Sequence, residues 1–207
     1  MENLFESWRG FLNEKLVLKP GPNGWDLYAQ LVADAYMAAP KFEQRAVPSF
    51  EAMVPFVEKM FNQIQSRVAI EFVDYHPYES AQQLRDEVNT TGKMRIATID
   101  ADHEIFDEIT NAKFRAIHDY MSHIQAIGSR GTEFTLRGEY AAYNAHLKTL
   151  PPAAAPALFT EVVGQVSVYN VLGDFGEQKI CLLDGFDYFN IGAVDGYKIV
   201  NKELVKD

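Results

Sequence analysis

The sequence predicts a mainly α-helical protein, a single-domain helical bundle with a few short peripheral β-strands. Apolar residues recur at the three- and four-residue spacing of amphipathic helices over most of the chain, and β-branched runs are brief. Proline- and glycine-rich breaks such as KPGPNG separate these stretches. A length of 207 residues, with 47% hydrophobic and 23% charged residues, suits one folded core.

Residues 1–70 are predicted to form an N-terminal helical region. Its three helices are distinguished by apolar periodicity and by the breaks between them. They are expected at about 2–15, from Trp25 to Met37, and from Ser49 to Ser66.

Residues 71–207 are predicted to form the helical core, with a short β-containing tail, and to pack with residues 1–70 as one compact unit. VAIEFV and MRIATI have the β-branched composition of short strands, and a short helix from Ser80 lies between them. Further helices are expected at about 107–127, 135–149 and 153–172, and KICLL and YKIV are candidate strands of the tail.

The composition excludes several classes of function. A net charge of −10 without a basic run argues against duplex nucleic acid as a partner. The apolar runs are too short to span a bilayer, and the first residues do not have the pattern of a secretory signal, so no membrane partner is expected. The single cysteine, Cys181, excludes an internal disulfide and a thiolate metal cluster, which suits a reducing cytoplasm.

The predicted helix at 107–127 carries three side chains that commonly bind metals. Asp119 and His123 are four residues apart and therefore share a face. His118 and His123 differ by five positions, about 140° around a regular helix, so both can bind one ion only if the helix is distorted. Asp119 with His123 is the better pair, with His118 flanking it. The alternative is a surface ion pair between Asp119 and Arg115.

The helix at 135–149 places Glu139 and His146 seven residues apart on one face, with Tyr143 between them. Both residues also have an alternative explanation. Glu139 would be favourable as a solvated acid in the first turn, and His146 as a partner of the C-terminal helix dipole.

The helix at 153–172 is apolar on nearly every side but contains Glu161 and Gln165, four residues apart. A buried carboxylate needs a cation or hydrogen-bond donors. Gly164 costs helix stability and indicates that another backbone or a ligand approaches there. The alternative is a buried hydrogen-bonded pair of Glu161 with Tyr143 or Gln165.

Three consecutive helices therefore each present a polar pair on one face, and mixed imidazole and carboxylate sets suit a divalent ion such as Zn, Fe or Mn. The sequence predicts a metal or catalytic site here. His76 and His103 lie in predicted loops and are expected to be ordinary exposed histidines.

The strings FRAIHDYMSH, RGEYAAYNAH, FTEVVGQVSVY and FGEQKICLL resemble a family of tailed-phage and prophage proteins of unassigned function. Its pattern is F-R-x-x-H-D-x-x-x-H, then G-E-x-x-A-x-x-x-H, then T-E-x-x-G-Q, then Gly-Phe-Gly-x-Gln-Lys. The likeness runs from about Tyr75 to Leu183, and the linker GSRGTEFTLRGE departs from it. It implies a shared polar signature of His118, Asp119, His123, Gly138, Glu139, His146, Glu161, Gly164 and Gln165. It also implies expression in the host cytoplasm, with virion association left open, but it names no reaction.

The leading hypothesis is a metal-dependent hydrolase acting on a small molecule, with a nucleotide or small phosphorylated metabolite as the first choice. A homo-oligomer is compatible with the sequence. The ligands would be Asp119, His123, Glu139 and His146, with Glu161 as a further ligand or general base. The other catalytic groups would be His118 and Gln165, and substrate would contact Arg115, Arg130, Arg137 and Tyr143.

Two other functions fit the same sequence. Carboxylates and histidines from several helices also describe non-haem iron oxygenases and oxidases. A phage structural or host-interaction protein would use the polar residues as an internal hydrogen-bond network instead.

Overall fold

The computed structural model describes residues 16–17, 24–99, 103–125, 131–200 and 203–206. Within them the chain is mainly α-helical, with short strands at the periphery, as the sequence predicts. The predicted helix at 2–15 lies outside the described residues, as does Arg130. None of the helices in the described ranges is long and apolar enough to cross a membrane.

The helices within these ranges follow the predicted order along the chain. The helices are α1 Gly24–Ala38, α2 Val47–Gln65, α3 Ala81–Thr91, α4 Glu108–His118, α5 Leu136–His146, α6 Ala155–Leu158 and α7 Gln165–Leu172. Short 3₁₀ turns cover Gln44–Ala46 and Pro152–Ala154. Two π-helical segments, π1 Asp119–Ile124 and π2 Phe159–Gly164, continue α4 and α6. The strands are β1 Leu16–Val17, β2 Ala69–Val73, β3 Lys93–Ala97, β4 Ala193–Val194, β5 Tyr197–Val200 and β6 Glu203–Lys206.

Side-chain caps fix the starts of the helices around the candidate site. The Ser80 hydroxyl accepts a hydrogen bond from the Gln83 backbone at 3.3 Å and begins α3. Asp107 caps α4, and Thr135 caps α5 through the Gly138 backbone at 3.2 Å. These side chains satisfy backbone N–H groups that have no partner inside a helix.

The strands form three separate two-stranded sheets. β2 pairs with β3 in parallel, whereas β1 with β4 and β5 with β6 are antiparallel. The predicted strand at YKIV is confirmed as β5. The predicted strand at KICLL is wrong, because only an isolated bridge joins Ile180 to Phe42 there.

The core is rich in aromatic side chains and lies between the helices. Tyr28 and Trp25 of α1 contact Tyr140 of α5 edge to face, with ring centroids 5.7 and 5.1 Å apart. Phe50 and Met53 of α2 are fully buried. Helix α1 packs against α7, and α2 packs against α4, so all the helices that carry the predicted site residues share this core.

Lys179 joins the tail to the end of α1. Its side chain is buried, and its ammonium donates to the carbonyl oxygens of Tyr36, Met37 and Ala39 at 2.9, 3.1 and 2.6 Å. The last carbonyl groups of a helix have no partner within it and attract positive charge. Lys179 therefore fixes the polar segment that precedes KICLL against the core.

The two π segments interrupt helices that the sequence predicts to be continuous. The helix expected at 107–127 changes from α4 to π1 at Asp119, and the one expected at 153–172 contains π2. Gly164 ends π2 against the ring of Tyr36, where an added Cβ would lie 2.7 Å from the Tyr36 Cδ2 atom. The predicted close approach at Gly164 is therefore made by a side chain.

Candidate metal centre

The π1 segment brings His118 and His123 onto one face. In a π-helix the backbone hydrogen bond joins residues five apart, as the Gln125 amide bonded to the Tyr120 carbonyl illustrates at 3.0 Å. Residues five apart then lie much closer to one face than they do in a regular α-helix. The Nε2 atoms of His118 and His123 are 3.2 Å apart as a result.

Glu139 of α5 completes a triad with these two histidines. Its Oε2 lies 3.0 Å from His118 Nε2, and its Oε1 lies 3.4 Å from His123 Nε2. A tetrahedral ion with bonds of 2.0–2.1 Å separates its ligand atoms by about 3.3 Å. The three groups therefore already have the spacing of ligands to one small divalent ion. We call His118, His123 and Glu139 the triad.

Asp119 lies beside the triad. His118, Asp119 and His123 each offer a ligand atom, and these atoms lie within 4.8 Å of one another, so this group can hold a metal ion. Glu139 contacts both histidines directly, and we take it as the closer carboxylate. Asp119 is half-buried, and burial raises its pKa to about 7, which makes it a candidate acid or base.

His123 is held with its Nε2 toward the triad. Its Nδ1 lies 3.1 Å from the carbonyl oxygen of Thr132 and 3.1 Å from the Thr132 hydroxyl. A carbonyl oxygen only accepts, so Nδ1 carries the proton and a neutral His123 has a lone pair on Nε2. Burial lowers the pKa of His123 to about 4, which keeps the ring neutral. This orientation is typical of histidines that ligate metals.

Glu139 favours the protonated form of His118 in the metal-free chain by raising its pKa. Burial alone would lower its pKa, but the charge and hydrogen bond of Glu139, together with the charge of Asp119, outweigh burial and raise the pKa of His118 above the usual range of histidine. Burial opposes ionisation of Glu139, but the charge and hydrogen bond of His118, together with the charge of His123, outweigh burial and lower the pKa of Glu139. A divalent ion would have to displace this proton.

His146 lies behind the triad. Its ring stacks on that of His118, with centroids 5.4 Å apart and planes 18° apart. Its Nε2 is hydrogen-bonded to the Ser122 hydroxyl at 3.0 Å, and its Nδ1 has no partner among the described residues. Burial lowers the pKa of His146 to about 3. The sequence predicts a ligand here, whereas the structure places His146 as a neutral ring supporting His118.

The predicted roles within α4 and π1 are therefore rearranged. Sequence periodicity favours Asp119 with His123 as the ligand pair and places His118 at the flank. The structure brings His118 and His123 together, and Asp119 stays within 4.8 Å of both as a further candidate ligand. The helix distortion that both histidines need is present as π1.

Glu161 and Gln165 form a second polar cluster on π2 and α7. The Gln165 amide donates to Glu161 Oε2 at 3.1 Å, and the Gln178 amide donates to both carboxylate oxygens at 2.8 and 2.7 Å. These contacts match the predicted alternative of a buried hydrogen-bonded pair. No hydrogen bond or ion pair within the described ranges joins Glu161 to the triad.

His103 belongs to this second cluster, and its expected exposure is wrong. Its side chain is fully buried, and its ring stacks on Phe106 with centroids 4.2 Å apart. Its Nδ1 accepts from the backbone amides of Ile105 and Phe106, so a neutral His103 carries its proton on Nε2. That Nε2 lies 3.8 Å from Glu161 Oε1.

The predicted substrate contacts are mostly engaged elsewhere. Arg115 donates to the carbonyl oxygens of Ala97 and Ile99 at 3.2 and 2.6 Å. Arg137 is exposed two residues before Glu139, about 200° around α5 and so on the other side of the helix. Tyr143 is fully buried and donates to the Tyr188 carbonyl at 2.6 Å, which makes it a core residue.

Three residues that support the two polar clusters are missing from the sequence prediction, namely Thr132, Arg85 and Gln178. Thr132 and Arg85 contact the backbone or ring of His123. They lie 9 and 38 residues from it in sequence, and helical periodicity cannot relate such positions. Gln178 stands in the FGEQK segment singled out by the resemblance, which was the one available signal.

The comparisons with known proteins give no match. No protein-family profile matches the chain, and neither curated proteins nor solved structures show significant similarity to it. The resemblance to phage proteins therefore stays a prediction.

Proposed function

We propose that this protein is a metal-dependent hydrolase whose ion is bound by the triad. The observation that carries the proposal is the convergence of two imidazole nitrogens and one carboxylate at 3.0, 3.2 and 3.4 Å. A two-histidine, one-glutamate set with an open position is used by hydrolytic zinc enzymes. Zn²⁺ is the first choice of ion, with Fe and Mn as alternatives.

Asp119 supports hydrolysis in particular. A bound divalent ion would lower the pKa of a coordinated water toward neutrality and supply the nucleophile. The Asp119 carboxyl lies within 4.8 Å of the histidine ligand atoms. A carboxylate beside the ion would accept the proton of the attacking water and return it to the leaving group.

The proposed substrate is a small molecule. The described residues give little support for a phosphate group on it. Arg85 and Arg115, whose charges act on His123 and Asp119, donate to backbone carbonyls. The aromatic ring of Phe134 is 38% exposed and lies edge-on to His123, with centroids 4.6 Å apart. An apolar or planar group of the substrate would fit against Phe134. The phage origin rests on the resemblance alone.

A non-haem iron oxygenase is the second candidate. Two histidines and one carboxylate with open positions also describe that class. Its distinguishing requirement is consumption of oxygen with Fe²⁺ bound. A hydrolase would instead act under anaerobic conditions with Zn²⁺.

The test is a Zn²⁺ titration of untagged protein by calorimetry, beside the His123→Asn and Glu139→Gln variants. We expect one Zn²⁺ per chain in the wild type and loss of at least about 100-fold in affinity in each variant. Hydrolysis of p-nitrophenyl acetate, p-nitrophenyl phosphate and bis-p-nitrophenyl phosphate would then identify the bond cleaved. Equal Zn²⁺ binding by wild type and both variants would refute the triad as the metal site.

A further inference from the structure

Arg85 of α3 links three parts of the chain at the candidate metal centre. Its side chain is 16% exposed, and its Nη1 donates to the carbonyl oxygens of His123 and Thr132, both at 3.3 Å. Its Nη2 donates to Gln82 at 3.1 Å and to Glu133 at 2.5 Å. The guanidinium group therefore bridges the end of π1 and the segment that returns to α5.

The two carbonyl oxygens that Arg85 bridges belong to His123 and to Thr132, the residue that orients the His123 ring. The Thr132 carbonyl accepts the Nδ1 proton of His123 at 3.1 Å. Nη1 of Arg85 thus holds the Thr132 carbonyl next to His123, and that carbonyl orients the His123 ring. A carbonyl has two lone pairs, so the Thr132 oxygen can accept from both groups at once.

The backbone of the returning segment fits closely against π1. The Thr132 amide donates to the Ser122 carbonyl at 2.8 Å. A Cβ added to Gly131 would lie 1.7 Å from the His123 carbonyl oxygen, so only glycine allows this approach. Arg85 is the side chain that donates to the carbonyl oxygens of His123 and Thr132, which this close approach brings together.

We propose that Arg85 is a positioning residue for the metal centre, acting through Thr132. It fixes the Thr132 carbonyl at the distance that keeps the His123 proton on Nδ1 and its Nε2 lone pair directed at the ion. This inference rests on the proposed function, because the triad must bind a metal for the positioning to matter. Hydrogen-bonded partners of ligating histidines typically contribute 10–100-fold to metal affinity.

The test compares Zn²⁺ affinity in Arg85→Met with two controls. Glu133→Gln removes the ion pair of Arg85 but leaves its contacts to the carbonyl groups. Arg95→Met removes an arginine with a comparable network, bonded to Glu87 and Tyr75. We expect Arg85→Met to weaken Zn²⁺ binding about tenfold and to alter the visible spectrum of bound Co²⁺. Both controls should stay within about threefold of the wild type.

Each outcome decides between the two proposals. A wild type that binds no Zn²⁺ refutes the proposed function. A wild type that binds Zn²⁺ while a folded Arg85→Met binds it equally well refutes the positioning role, even if the melting temperature falls. If Arg85→Met does not fold, long-range ¹H–¹⁵N NMR of Arg85→Gln decides. A neutral His123 that keeps its proton on Nδ1 to the same extent as in the wild type overturns the inference, and loss of that preference supports it.

Discussion

The Nε2 atoms of His118 and His123 lie 3.2 Å apart, although a regular α-helix would turn these residues away from each other. The π-helical segment that begins after His118 brings the two rings into contact. π-Helical segments interrupt the regular hydrogen-bond pattern of an α-helix, and they often occur at functional sites. With Glu139 against both rings, the pair has the spacing of metal ligands.

Glu139→Gln should lower the pKa of His118 in metal-free protein, because the carboxylate is what raises that pKa against burial. NMR titration of the His118 ring in wild type and variant measures the change. Glu58→Gln is the matched control, since it removes a carboxylate that pairs with Lys113 instead. An unchanged His118 titration in Glu139→Gln would contradict the contact.

His146 should make the fold sensitive to acid. Its pKa is lowered to about 3 in the folded chain, whereas an unfolded histidine takes up a proton near 6.5. Stability is therefore lost as pH falls from 6.5 toward 3, by about 1.4 kcal/mol per pH unit for this residue. The free energy of unfolding, measured with urea at several pH values, should change less steeply with pH in His146→Gln, by that amount per pH unit. Equal slopes in the two proteins would indicate that His146 is protonated when folded.

Asp119 should have the opposite dependence on pH. Its folded pKa of about 7 exceeds the usual aspartate value of 3.8, so stability is lost as pH rises between these values. Asp119→Asn removes that loss and should be more stable than wild type at pH 8, by on the order of 2 kcal/mol after allowance for partial exposure. At pH 4 the two proteins should differ little. Thermal melts at both pH values make the comparison.

Glu161→Ala should destabilise the fold without reducing metal binding. It leaves the amide groups of Gln165 and Gln178 without their acceptor, at a cost of about 2–4 kcal/mol. Glu161→Gln keeps an acceptor oxygen and should cost less. Zn²⁺ titration of the folded variants separates this cluster from the triad. Weaker Zn²⁺ binding by both variants would instead bring Glu161 into the metal centre.

The sequence predicts the described helices well and the site in part. Apolar periodicity locates α1, α2 and α5 within a few residues, because each buries one continuous face. Periodicity assumes a regular helix, however, so it separates His118 from His123 and pairs His123 with Asp119. The burial of His103 depends on packing against Phe106 and Glu161, and no local pattern encodes it. Thr132 and Arg85 act through backbone contacts across long separations, which residue spacing does not reveal.

The burial of Lys179 offers a way to detect movement of the FGEQK segment. Its ammonium is enclosed by three carbonyl oxygens at the end of α1, so the native chain shields it from amine-reactive reagents. Labelling of Lys179 requires the FGEQK segment to detach from the helix, which also withdraws Gln178 from Glu161. The rate at which Lys179 is acylated therefore reports how often the FGEQK segment separates from α1.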